Sequence, residues 1–383
     1  MMKTNMNKPR WWLYCQDLEF ARRKQWEIAL NETDSEKQAN EIAVMTYLGI
    51  YSECEEQILR LNLTEYKQGR EALYRARRAL GGVNTWESLI SKNISIETTI
   101  DEIDKAINNN EIICVNLVGG IGDQLEATSL LLGQTERHKA ENGPRIEVRA
   151  CGANNNEVDK YLKKTSASKF KACRQSFNKL EISYPVYRYW HEKRSDIPLQ
   201  YNTMYDISKK REVMSEKLNL LVCWRCKINK DNLISTFTRS IPFNTIMEQM
   251  NNIKNEIEDE LVRVVDITKY NCEEKKIISR NYPKITLVGD DIRSIGYLIK
   301  QISHSDKIIS VDTSLIHISA TCNRKVNALL PQYADERWLE LMQSEGVYKN
   351  NVIIHRQKTF NNWGSKSIST LNNIIQNRED KIT

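Results

Sequence analysis

No stretch of the 383-residue chain approaches the roughly 20 consecutive apolar residues that a bilayer-spanning helix needs. The opening MMKTNMNKPRWWLYCQDLEF has no apolar signal core and soon becomes charged. Both absences make the cytoplasm the expected compartment, with attachment to the inner face of the membrane as an extension. A disulfide framework is also missing: nine cysteines, an odd number, are scattered along the chain. Cys223-Trp-Arg-Cys226 is formally a CxxC, but no second pair completes a zinc site, so packing is the expectation. Charge of one sign is scarce too. A net +6, from 56 basic and 50 acidic residues, gives no general reason to expect a nucleic-acid partner. One polar stretch is basic, through Lys160, Lys163, Lys164, Lys169, Lys171 and Arg174. It reads as a solvated face or as a surface for an anionic substrate or membrane.

What is present is an ordinary globular composition, 40% apolar and 28% charged, with length for two or three domains. Residues 1–108 read as helical throughout. Leu18, Ala21, Trp26, Ala29 and Leu30 recur at helical spacing, as do Ile42, Met45 and Leu48. Thr33 with Glu36 and Thr99 with Glu102 have capping-box spacing. Gly49 and Gly81-Gly82 read as helix ends. Paired helices of a tetratricopeptide-like kind are one reading and a generic helical domain is the other, since no clean 34-residue period appears. Either could carry a protein partner.

From about residue 109 strands and helices alternate. EIICVNLV, RIEVRA, LNLLVCW, LVRVVDI, KITLV, KIISVD and VNALL read as strands. Helices are expected over 123–139, 244–257, 292–304, from about Ser314, and over 366–377, while 150–212 is polar and hard to assign. Such alternation predicts parallel sheets flanked by helices, in two Rossmann-like halves around a cleft. The expected domains are 1–108, 109–212 and 213–383.

Three stretches suggest chemistry. In VNLVGGIGDQLEATSLLLG (115–133) a buried strand runs into Gly119, Gly120 and Gly122, then Asp123 and a helix. That layout presents backbone N–H groups to a ligand. In KIISVDTSLIHISATCNRKVNALLP (307–331) Asp312 ends a strand, Thr313 and Ser314 can cap the next helix, and His317 follows one turn on. The group suits a diphosphate; equally, it describes a capped helix with a satisfied buried histidine. In LLVCWRCKINKDNLISTFTRSIPF (220–243) a strand ends among Arg225, Lys227 and Lys230, with Arg239 before the next helix. These cations could neutralise phosphates or form a solvated loop.

Together the stretches resemble the heptosyltransferase-like glycosyltransferases of family 9. The resemblance rests on GGIGD (119–123), WRCKINKD with TRSIPF (224–243) and VDTSLIHISATCNRKVNALLP (311–331), with weaker support from DERW (335–338) and HRQ…NNW (355–363). It covers roughly residues 110–370 and implies a GT-B fold: two Rossmann-like domains, here preceded by an all-α region. It also implies a metal-independent, inverting glycosyltransferase with no cofactor beyond its nucleotide-sugar donor and a glycan, lipid-linked or protein acceptor. Asp123 then matches the family's proposed catalytic base. Gly120, Gly122, Lys227, Arg239, Asp312, Thr313, Ser314 and His317 fall at the donor site. The glycines are expected to let donor and acceptor approach the turn. Arg225 and Cys226 depart from the small residues of many relatives. Two alternatives stand beside this. GGIGDQ is similar to the GGxGNQ turn of GDP-fucose enzymes, although Asp123 replaces their asparagine. A non-catalytic adaptor with a relic sugar-nucleotide cleft is the other.

Overall fold

A computed structural model describes residues 17–364 apart from 82–84, 91–94, 110, 118, 141–144, 151–178, 195–198, 208–216, 227–238, 293 and 336, together with 371–376. The N-terminal region is helical, as expected: α1 Leu18–Asn31, α2 Ser35–Thr46, α3 Ser52–Arg60, α4 Lys67–Ala79 and α5 Ile96–Asn108. Carboxylates start the first two. Asp17 accepts from the Phe20 N–H at 2.9 Å and Asp34 from the Lys37 N–H at 3.0 Å, each satisfying a donor left open by the first turn. Thr33 therefore does not cap α2; its neighbour does. Thr99 and Glu102 lie inside α5 rather than at its start, and the Thr99 hydroxyl donates to the Ser95 carbonyl at 2.9 Å. Gly49 (φ +74°) and Gly81 (φ +76°) end helices in the left-handed region, as expected. The helical core of Ala21, Ala39, Met45, Leu48, Ile58 and Ala72 is completed by Phe360, which arrives from near the other end of the chain.

The first α/β unit contains β1 Ile112–Leu117, α6 Ile121–Ala140, β2 Arg145–Ala150, β3 Lys179–Ser183, a helix Tyr184–Arg194 and β4 Gln200–Tyr201. Its sheet has the order β2-β1-β3, all parallel. The second unit contributes β5 Leu218–Cys223, β6 Val262–Asp266, β7 Thr286–Leu287, β8 Lys307–Val311, β9 Val326–Leu330, β10 Glu345–Gly346 and β11 Val352–Arg356. Its sheet runs β11-β9-β8-β5-β6-β7, again parallel throughout. β8 and β9 are buried at every position, as strands covered on both faces must be.

Some boundaries differ from expectation. The single helix over 244–257 is two, Phe243–Asn251 and Lys254–Glu258, and KITLV pairs over two residues only. Of the closing helix expected over 366–377, Leu371–Gln376 is described and helical. The basic stretch 160–174 lies outside the described residues. The two units are also less separate than expected. One apolar core runs from Val115, Leu117 and Leu130 through Ile316 to Ile308 and Ala328, and β4 pairs with β10 across the units.

Candidate functional site

The second sheet fixes where a ligand belongs. Counting its strands in chain order, β5 is first and β8 fourth, and the order reads 6-5-4-1-2-3. That is the doubly wound pattern in which the connections leaving neighbouring strands β5 and β8 diverge and open a crevice beyond their carboxyl ends. The residues there are the ones the sequence singled out. The Cys226 N–H donates to Ser240 Oγ at 3.1 Å and its thiol to the Asp312 carbonyl at 3.2 Å. Arg239 Nη1 donates to the same carbonyl at 3.2 Å and lies 3.7 Å from the Asp312 carboxylate. Thr313 is the N-cap of helix Ser314–Thr321, accepting from the Leu315 N–H at 3.3 Å and sharing a 2.9 Å hydrogen bond with Ser310. Arg225 is engaged elsewhere, its Nη1 donating to both carboxylate oxygens of Glu274 at 2.8 and 2.9 Å. Lys227 and Lys230 lie outside the described residues. Asp266, at the end of β6, holds the position that contacts a ribose in dinucleotide folds. Here it is buried and committed to the Thr268 N–H and the Tyr270 hydroxyl, each at 2.8 Å.

The first sheet delivers the other half. Gly119 (φ +95°) turns the chain beyond β1, and α6 begins at Ile121. Asp123 therefore sits at the third helical position, not at the cap. Its Oδ2 reaches back to accept from the Gly120 N–H at 2.7 Å, half of a capping box. The glycines answer to close approach within the protein. A Cβ on Gly119 would meet the Asp123 side chain at 2.7–3.0 Å, and one on Gly122 would meet His317 Cδ2 at 2.7 Å.

GGIGD and DTSLIH are thus in direct contact, packed together rather than facing across open solvent at this point. His317 stacks on Trp338 (centroids 5.4 Å apart, 28° between planes), meets Tyr348 edge-on and shares a 2.9 Å hydrogen bond from Nδ1 with the Tyr348 hydroxyl. Burial, reinforced by the Arg337 charge, pushes its pKa down to about 4, so the ring is neutral at pH 7. The imidazole has the surroundings of a satisfied buried histidine.

Arg337 was not singled out from the sequence, yet it is the cation of the contact. It pairs with Asp123 Oδ1, lies 3.7 Å from Glu126 Oε2 and 3.2 Å from Asp335 Oδ2. Burial works against ionisation of Asp123, but Arg337 and the Gly120 N–H outweigh it and hold the carboxyl below the usual range. Glu126 goes the other way: burial pushes it up to about 7, only partly offset by Arg337. The signal for Asp335, Arg337 and Trp338 was present as DERW. Nothing in the apolar helix pattern marked Glu126.

No family model matches the chain, and no curated protein matches it. Several solved structures do. Glycosyltransferases are among them. E. coli ADP-heptose lps heptosyltransferase II shares 11% identity over 63% of this chain and 89% of its own, with a TM-score of 0.40. E. coli heptosyltransferase WaaC with ADP shares 12% over 69% and 98%, at 0.40. The family 9 glycosyl transferase of Veillonella parvula shares 9% over 64% and 85%, at 0.35.

Proposed function

We propose that the chain is a glycosyltransferase that moves a sugar from a nucleotide-diphosphate sugar to an acceptor hydroxyl, with inversion and without a metal. The observation that carries this reading is the convergence of two strand ends. The crevice at β5 and β8 holds a cation, Arg239, and the start of a helix at Thr313 and Ser314, which together suit a diphosphate. The helix that begins there carries His317, which packs against the turn holding Asp123. An ionised carboxylate in that place can take the proton of an acceptor hydroxyl as its oxygen attacks the anomeric carbon, while the diphosphate leaves toward the crevice. The Asp123 side chain is 42% exposed, open enough for a hydroxyl to reach. His317, neutral and enclosed, acts in this reading by holding the two halves in register, and Thr313 by fixing the helix start.

The acceptor is a glycan, lipid-linked or protein hydroxyl, and the compartment is the cytoplasm or the inner face of the membrane. No helix among the described residues is long and apolar enough to cross a bilayer. A protein partner would bind the outer faces of the N-terminal helices, since their inner faces close on Phe360. Thermal shift with ADP, GDP, UDP and CMP, with and without EDTA, tests the donor site. One of the diphosphates should raise the melting midpoint by mass action, and chelation should leave that rise intact. A panel with no shift at millimolar nucleotide would reject the donor site, and a shift lost on chelation would reject metal independence.

A further inference from the structure

Three carboxylates meet one guanidinium where the two units touch. Arg337 Nη1 serves Asp123 and lies 3.7 Å from Glu126, while Nη2 is 3.2 Å from Asp335. Asp123 and Glu126 are three residues apart on α6 and so lie on one face, within reach of the same nitrogen. Their surroundings differ sharply: the Asp123 side chain is 42% exposed and that of Glu126 only 8%. One carboxylate is open to a substrate and the other is sealed beside it.

We propose that Arg337 is a positioning residue shared between Asp123 and Glu126, orienting Asp123 at rest and moving onto Glu126 as an acceptor hydroxyl reaches the base. The proposal rests on the reading of Asp123 as that base. A carboxylate paired with a guanidinium is a weak proton acceptor, because the pair stabilises its charged form. Asp123 becomes basic enough only if that stabilisation is withdrawn as the bond to the sugar forms. Arg337 keeps Asp335 on Nη2 as it leaves Asp123, and Glu126, 3.7 Å from Nη1, gives that nitrogen somewhere to go. The step balances. The hydroxyl proton passes to Asp123, the acceptor oxygen forms the new bond to the anomeric carbon, and the electrons of the old anomeric C–O bond leave with the nucleoside diphosphate.

Glu126 can receive Arg337 only when ionised, which burial delays until about pH 7. The charges around it are Arg337, Glu340, Asp123 and Arg78. Around Asp123 they are Arg337 and His317, with the Gly120 N–H; around Arg337 they are Asp335, Asp123, Glu126 and Asp312. Activity should therefore follow the ionisation of Glu126 near neutrality, although Asp123 itself is ionised throughout.

Carbon-13 NMR of the full chain with labelled carboxylates tests the sharing without a substrate. The Asp123 signal should shift as pH crosses about 7, and the shift should vanish in Glu126→Gln and shrink markedly in Arg337→Gln. A wild-type signal that stays still, or a shift of full size in either variant, overturns the proposal. Hydrolysis of ADP-, GDP- and UDP-hexoses, read as released nucleoside diphosphate, tests the consequence. The rate should fall about tenfold per pH unit below 7 in the wild type, and Glu126→Gln should stay at the low-pH level with no limb. A limb surviving in Glu126→Gln also overturns it. Wild-type hydrolysis by Asp123→Asn would instead remove the base reading, leaving the NMR titration to judge the sharing by itself.

Discussion

In the proposed reading Asp123 has two jobs, and a single substitution separates them. In Asp123→Asn one oxygen remains, enough for the Gly120 N–H or for Arg337 but not for both. Stability should fall by no more than about 1 kcal/mol, because solvent screens an ion pair at a side chain this exposed. Turnover should fall by roughly 10²–10⁴, the contribution of a general base. A helix-capping role alone predicts the first loss and not the second, so steady-state rates on the folded variant decide. His317 and Glu126 supply a second test, because their titrations oppose each other. Burial lowers His317 from 6.5 to about 4. As pH drops through that window the unfolded chain takes a proton that the folded one refuses, and about 3 kcal/mol of stability is lost. Glu126 is raised from 4.5 to about 7, so the folded chain takes its proton first and gains a similar amount over the same range. Urea melts should show that, relative to the wild type, His317→Gln gains stability on acidification and Glu126→Gln loses it; differences from the wild type of the same sign would show that one assignment is wrong.

Elements were legible where periodicity and length agreed. β1, β2, β5, β8 and β9 fell where expected because each is a short, bounded apolar run. Two-residue β7 and the break between Phe243–Asn251 and Lys254–Glu258 carried no such signal, since tertiary packing sets them. Asp312 and Thr313 were singled out because a strand end followed by a cap has a sequence signature, and Asp123 because it follows a glycine turn. DERW marked the place of Arg337 but not its role, because Asp123 lies more than 200 positions away and no local pattern reports such a pair. The glycines were noticed for close approach, and Gly119 and Gly122 show it within the protein, against Asp123 and His317. The strand order predicts which element binds the donor. Arg239→Gln keeps the helix start intact and should weaken nucleoside diphosphate binding by about 1–3 kcal/mol in calorimetry. Thr313→Val would confuse the test, since loss of the cap itself costs about 1 kcal/mol. Unchanged affinity in Arg239→Gln would move the diphosphate away from the β5–β8 crevice.

At the scale of the whole molecule the helical region is built into the two α/β units. Tyr74 of α4 and Trp86 join the core of the first unit, and the buried Arg188 lies 4.5 Å from the Trp86 ring. Arg188 also donates to Glu340 at 2.9 Å, and Arg78 of α4 pairs with the same carboxylate. Glu340 thus joins the helical region, the first unit and the second. Glu340→Ala leaves Arg188 buried with its charge uncompensated and should cost about 3–5 kcal/mol in chemical denaturation; a loss below 1 kcal/mol would mean that the junction is dispensable. The continuous core also predicts one calorimetric transition for all three parts, whereas a separate low-temperature peak would show the helices melting alone. The placement of Phe360 sets an order in time. The N-terminal helices leave the ribosome first, yet the side chain that closes their core is made roughly a quarter-minute to a minute later at ordinary elongation rates. Through that interval their apolar faces are a surface for chaperones to hold. A chain that stops short of residue 360 leaves its oldest helices unfinished and marked for proteolysis.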